Sequence, residues 1–225
     1  LGASAEVPGF EDMYYSGRRP NGIYVPRFRN LGDAATKRSD YIRGFGYQGG
    51  AGRGTWEREP GGFGAERKEA LTQPGPWGVR LHGFGEILPY ADNRMTLNTD
   101  VKDKHGLPTV TFDVAIRDNE KAMRKDMAAA AAEMLEASGF TKVTTFDGTY
   151  APGLGIHEMG TARMGRDPKT SVLNARNQVH ECPNVFVTDG AAMTSASCVN
   201  PSLTYMALTA RAAAFAAEAG RKGDL

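Results

Sequence analysis

The chain has little sulfur chemistry to offer. Two cysteines, Cys182 and Cys198, stand among 225 residues. Neither has a CxxC or metal-type neighbour, so the chain is no disulfide framework and both read as small apolar residues. Histidine is scarce as well, with His82, His105, His157 and His180 scattered along the chain. The segment His157-Glu158-Met159-Gly160-Thr161 begins like a zinc-protease helix, but Thr161 stands where the second ligand belongs. One histidine cannot make that site, so no metal is expected. Charge of one sign is missing too: 27 basic against 26 acidic residues leave a net charge of +1. That balance gives no field to draw in nucleic acid or an anionic bilayer. No run of about 18 apolar residues occurs, so no helical membrane span is expected. The GxSxG elbow of the usual serine hydrolase is absent. The opening Leu1-Gly2-Ala3-Ser4 has neither an initiator Met nor a signal-peptide pattern. A processed or incomplete chain is expected from it, with the compartment, cytoplasm or periplasm, left open.

What is abundant is glycine, 28 residues, alongside 12 prolines and a 40% hydrophobic fraction. That supports one large domain or two small ones with a loop-rich surface. Residues 1–80 read as irregular, crowded with Gly, Arg and aromatics, with short extended pieces at 23–28 and 41–47. Gly44-Phe45-Gly46-Tyr47-Gln48-Gly49 spells GxGxxG. The dinucleotide mechanism needs a buried strand before that turn and a helix after it, and neither context fits here.

Residues 79–85, 94–98 and 109–114 alternate apolar and polar, with breakers between them. They predict half-buried strands of an antiparallel sheet. Residues 119–138 predict the clearest helix, capped by Asp118 and stopped by Gly139. Its stripe of Met123, Met127, Ala130, Met134 and Leu135 is core packing at helical spacing. A short strand at 184–188, closed by Asp189-Gly190, precedes a last helix over 202–219.

Two segments carry chemistry. In Gly155-Ile156-His157-Glu158-Met159-Gly160-Thr161-Ala162-Arg163-Met164-Gly165 three glycines bracket one histidine. Such a loop permits close backbone approach to something bulky, and an imidazole held there takes a proton near neutral pH. The bland reading is a core histidine in a tight loop. The second segment runs from Asn184-Val185-Phe186-Val187-Thr188-Asp189-Gly190 to Ser197-Cys198-Val199-Asn200-Pro201-Ser202-Leu203-Thr204-Tyr205. Asn200 reads as an amino-terminal cap and Pro201 as a first-turn residue, so the positive end of the helix points towards Asn200. Asp189, at the end of an apolar strand, is placed to accept from sugar or ribityl hydroxyls.

Together these segments resemble the carboxy-terminal signature of the glucose–methanol–choline (GMC) oxidoreductase family, in order, over residues 155–211. Residues 17–28 and 42–50 resemble, less specifically, its bacterial FAD-dependent sugar, glucoside and gluconate dehydrogenases. The resemblance implies an α+β fold: an antiparallel substrate-domain sheet with a flanking helix, over residues 1–150. It also implies that residues 151–225 hold a catalytic segment plus the strand and helix that complete a Rossmann-like FAD-binding domain, whose GxGxxG part is not found here. The implied activity is FAD-dependent oxidation of an alcohol, on a sugar or glycoside. His157 is the implied base, and the hydride goes to flavin N5. Asn200 would hold the substrate oxygen. Asp189 and Gly190 would meet the ribityl chain, while Asn200, Pro201 and Ser202 would meet the flavin's pyrimidine edge. A small subunit and a cytochrome acceptor are implied partners, and this stretch alone is expected to be inactive. Two alternatives stay open: a non-redox lyase of the same fold, and a non-catalytic carbohydrate-binding module.

Overall fold

The computed structural model describes residues 1–10, 22–53, 62–72, 75–148, 152 and 156–225. The Gly/Arg/aromatic stretch at 14–21, Gly54, Pro60-Gly61 and the Gly153–Gly155 part of the histidine loop lie outside the described residues. The described chain forms two compact units, Leu1–Leu88 with Ile116–Thr149, and Pro89–Ala115 with Tyr150–Leu225. Residues 89–115, expected in the amino-terminal part, group instead with the carboxy-terminal one.

The first unit holds strands β1 (Gly2–Glu6), β2 (Ile23–Val25), β3 (Phe45–Arg53) and β4 (Trp77–Gly85). A short helix α1 (Ala65–Thr72) lies between β3 and β4. The described part of residues 1–80 is therefore not irregular. Their strands escape a pattern search because β1 reads GASAE and β3 reads FGYQGGAGR, compositions poor in β-formers. Pairing makes them strands. Ala3 opposes Leu81 on one side and Thr145 on the other, and Tyr47 opposes both Val25 and Gly83. The GxGxxG stretch runs into β3, antiparallel to its neighbours, so it is no phosphate-binding turn.

In the second unit, β5 (Arg94–Lys102) and β6 (Pro108–Asp113) form a hairpin of their own. Its turn is organised by Asp103, whose Oδ1 accepts from His105 N and Leu107 N at 2.8 and 2.9 Å. The three stretches predicted as one antiparallel sheet thus divide. β4 joins the larger sheet and β5–β6 stands as a separate ribbon.

Back in the first unit, helix α2 (Asp118–Ala137) and strand β7 (Thr141–Phe146) follow. Among the described residues the sheet has five strands, ordered β2-β3-β4-β1-β7. Its apolar face offers Ala3, Ala5, Phe45, Tyr47, Val79 and Leu81, and α2 answers with Met123, Met127, Ala130, Ala131 and Leu135. The methionine stripe is core. Gly83 makes the fit possible, because a Cβ there would overlap Met127 Sδ. The expected cap is corrected: Arg117 holds the capping position, and Asp118 is the first helical residue. Glu120 does the capping work, accepting from Arg117 N at 3.1 Å and Leu88 N at 3.0 Å. The buried Glu120 carboxylate thus satisfies one amide at the helix end and one from the chain that follows β4. At the other end Gly139 takes φ +79, as expected of a stop.

Candidate functional site

The second unit also contains the hairpin β8 (Gln178–Val179) and β9 (Cys182–Phe186), a 3-10 turn (Gly190–Ala192) and helix α3 (Ser202–Lys222). Strand β9 begins two residues before the predicted 184–188, and α3 runs three residues past the predicted end. The extension of α3 follows from Arg221, Lys222 and a left-handed Gly223 that close it.

The histidine loop is held by backbone bonds to the 3-10 turn. Gly160 N donates to Gly190 O at 3.3 Å, Ala162 N to Ala191 O at 3.0 Å, and Met164 N to Ala192 O at 3.0 Å. Alternate amides of one segment thus take successive carbonyls of the other. Gly160 has φ +88, a conformation that suits glycine. Asp189 caps the turn, its Oδ1 accepting from Ala191 N at 3.0 Å.

Gly190 is where three segments meet. A Cβ at this position would lie 2.8 Å from Glu158 O, 2.9 Å from the Tyr205 hydroxyl and 3.1 Å from Met159 Sδ. Tyr205, in the first turn of α3, donates its hydroxyl to Met159 Sδ at 3.4 Å. Burial first, and the Asp189 carboxylate second, push the Tyr205 hydroxyl above its ordinary pKa. The segment next to His157 is therefore fixed against the Asp189-Gly190 turn and the opening of α3.

His157 itself is half-buried. Its imidazole has no hydrogen-bond partner among the described residues. Asn200 is exposed and Pro201 buried. Asn200 is not the helix cap that its residue type suggested. Pro201 occupies that position with φ −94 and ψ 0, and its carbonyl accepts from Tyr205 N at 3.0 Å. Asn200 stands one residue earlier, exposed at the mouth of the helix. Ser202 is the exposed first residue of α3.

Sequence reasoning missed four residues that build this arrangement: Met159, Tyr205, Asn177 and Arg211. Asn177 is wholly buried at φ +62. It exchanges bonds with Val187, Nδ2 to O at 3.0 Å and O from N at 2.9 Å. Its Oδ1 accepts from Arg211 Nη2 at 2.9 Å, which ties α3 to the β8–β9 hairpin. Half of α3's contribution was readable as period, because Tyr205, Leu208, Ala212, Phe215 and Ala219 form its less exposed stripe. The partners of that stripe were not readable.

A second His lies elsewhere in this unit. His180 Nε2 sits 3.1 Å from Ser171 Oγ, and Ser171 Oγ donates to Asp167 O at 2.7 Å. With its proton spent on a carbonyl, Ser171 accepts from the ring, which is the wrong polarity for an activated nucleophile.

Residues 89–209 match the family model described as GMC oxidoreductase. The chain belongs to the GMC oxidoreductase family. It is similar to 2-methyl-1,2-propanediol dehydrogenase of Mycolicibacterium austroafricanum, 39% identical over 57% of this chain and 23% of that protein. It is similar to the fructose dehydrogenase large subunit of Gluconobacter japonicus, 31% identical over 67% of this chain and 27% of that protein. It is also similar to paromamine 6'-oxidase of Streptomyces fradiae, 34% identical over 56% of this chain and 23% of that protein. The chain spans about a quarter of the length of these curated GMC relatives. Among the described residues this GMC chain has mixed α/β structure with antiparallel sheets and three α-helices. Among the described residues no group of three or more His, Cys, Asp or Glu side chains could hold a metal, and no helix is long and apolar enough to cross a membrane.

Proposed function

We propose that the protein oxidises an alcohol CH–OH group, on a sugar or glycoside, with His157 as the base. The observation that carries this is the pinning of the His157 loop. Its backbone is bonded amide by amide to the 190–192 turn, and Tyr205 locks Met159 to the first turn of α3. A base must be held to within a fraction of an ångström, and rigid neighbours supply that precision. The half-buried imidazole of His157, without a hydrogen-bond partner among the described residues, suits proton transfer, and the exposed amide of Asn200 suits a hydrogen bond to the substrate oxygen.

GMC oxidoreductases are generally flavoproteins, and the residues here suit FAD. Asp189 keeps an exposed carboxylate beside Gly190, and α3 opens with first-turn amides that lack intrahelical acceptors. Ile156, Val199, Leu203 and Met206 are 87%, 44%, 79% and 68% exposed. Apolar side chains so placed favour covering by a flat aromatic group. Asp189 and Gly190 would hold the ribityl chain; Asn200, Pro201 and Ser202 would meet the pyrimidine edge, where the helix dipole favours negative charge. FAD, when bound, supplies the acceptor for the hydride. On this reading β9, the 190–192 turn and α3 are part of a Rossmann-like FAD-binding domain. The first unit's sheet with α2 belongs to the substrate-binding domain. A small subunit and a cytochrome acceptor are the proposed partners, in line with the words "large subunit" in one relative's name.

The test is anaerobic mixing of the FAD-loaded full-length parent of this chain with a panel of sugars, glycosides and simple alcohols. Bleaching of the oxidised flavin by at least one of them is expected. No bleaching with any, or aldehyde release with the flavin still oxidised, would overturn the proposal in favour of a non-redox relative.

A further inference from the structure

We propose a second ligand site, independent of the flavin chemistry: a phosphoryl-binding cleft in the first unit, formed by Arg27, Lys37, Arg38 and Arg43. It is an open surface depression of about 660 Å³ bordered by these four cations, with Asp33 as the lone acid in its lining. Its size suits a small molecule.

The cleft is built on a loop that has no helix or strand between β2 and β3, yet is fully organised. Asn30 is its hub, at φ +53. Its Nδ2 donates to Tyr41 O and Arg43 O at 3.1 and 2.7 Å, and its Oδ1 accepts from Arg38 N at 2.7 Å. The outer turn closes on itself through Thr36 N to Asp33 Oδ1 at 2.8 Å and Asn30 N to Thr36 O at 2.8 Å. The inner side is anchored to α2. Arg29 makes two bonds to Asp126 at 2.9 and 3.2 Å, and Tyr41 donates to the same carboxylate at 2.6 Å. Ordering a loop of this length costs conformational entropy, and such loops are usually functional.

The charges are unevenly balanced. Arg38 is paired with Asp40 at 3.0 Å and lies 3.7 Å from Asp126. Arg43 approaches Glu86 only to 3.8 Å. Arg27 donates to two neutral carbonyls, those of Arg29 and Asn30. Lys37 has no ion pair among the described residues. Among the described residues Arg27 and Lys37 thus have no acidic partner, and Arg27 is held by its own hydrogen bonds. A single carboxylate needs only one guanidinium. Several cations lining one depression from different parts of a loop match a group with three acceptor oxygens and more than one negative charge. Ile42, 61% exposed at the rim, leaves apolar surface for an organic remainder.

The experiment is isothermal titration of the intact protein with inorganic phosphate and, separately, with a hexose phosphate, against sodium chloride at matched ionic strength. Saturable one-site binding of at least one phosphoryl probe is expected, with no such signal from chloride. Stronger binding of the ester identifies a phosphorylated organic ligand; equal binding identifies the free anion. Lys37→Glu should weaken binding by about tenfold or more while the melting temperature stays put, because Lys37 makes no hydrogen bond that folding uses. Arg43→Gln provides a second, independent loss. Absence of saturable binding, an equal response to chloride, or unchanged affinity in both variants overturns the site.

Discussion

Tyr205 donates its hydroxyl to the sulfur of Met159 at 3.4 Å, two residues from His157. This contact joins the opening turn of α3 to the histidine loop, with Gly190 packed beneath both. Replacing Tyr205 with Phe keeps the ring and loses one weak bond to sulfur. The melting temperature should move little, and turnover should fall more than substrate affinity. Equal loss of both, read from steady-state kinetics, would assign Tyr205 a purely structural part.

Gly190→Ala is expected to be the more damaging change. The added methyl would sit 2.8 Å from a main-chain oxygen, Glu158 O, which cannot swing aside as a side-chain tip can. Overpacking of this kind costs about 1–3 kcal/mol. Thermal unfolding should show the loss, and flavin reduction should slow because the histidine loop must shift to relieve the contact.

His157→Ala removes the proposed base and leaves the loop's backbone bonds intact. Substrate-driven flavin reduction should drop by about 10²–10⁴-fold while flavin content stays unchanged. Unchanged reduction kinetics in the variant would assign proton removal to another group.

The core of the first unit makes a separate prediction. Gly83→Ala places a methyl where Met127 Sδ now lies, and destabilisation of about 1–3 kcal/mol is expected. If the clash is the cause, the double change Gly83→Ala with Met127→Ala should cost less than the sum of the two single changes, which denaturant unfolding of the four proteins would decide.

Alkaline pH should weaken the same unit. Burial, the bond to Asp126 and that carboxylate's charge raise the Tyr41 hydroxyl above its ordinary value; burial does the same at Tyr47, whose hydroxyl donates to Met127 O at 2.6 Å. A raised pKa means the folded state prefers the protonated phenol. Its stabilising effect is fully present below the free tyrosine value of about 10 and is lost as pH rises through and beyond it. The melting temperature should therefore fall on that alkaline limb, and Tyr41→Phe should flatten the fall. An unaltered slope in the variant would rule Tyr41 out as a contributor.

Local chemistry was legible in the sequence wherever one stretch carries its own signal. The alternation in residues 79–85 specified β4, the apolar period specified α2, and the Gly/His and Asn-Pro segments marked the candidate site. The helix caps show the limit: Asp118 and Asn200 are good capping residue types, yet Glu120 and Pro201 take those roles. Which of several adjacent residues meets a helix end depends on where the incoming chain turns, and residue type alone does not say.

Sequence by itself determined which segments are strongly patterned, the absence of a sulfur framework, and the family. Tertiary structure decided that Gly- and Ala-rich β1 and β3 become core strands, that Asn30 organises a cationic loop, and that Tyr205 reaches Met159. The physical reason is common to all three. Residues with little intrinsic preference take their conformation from hydrogen bonds and close contacts with partners far away in the chain, and those partners exist only once the chain has folded.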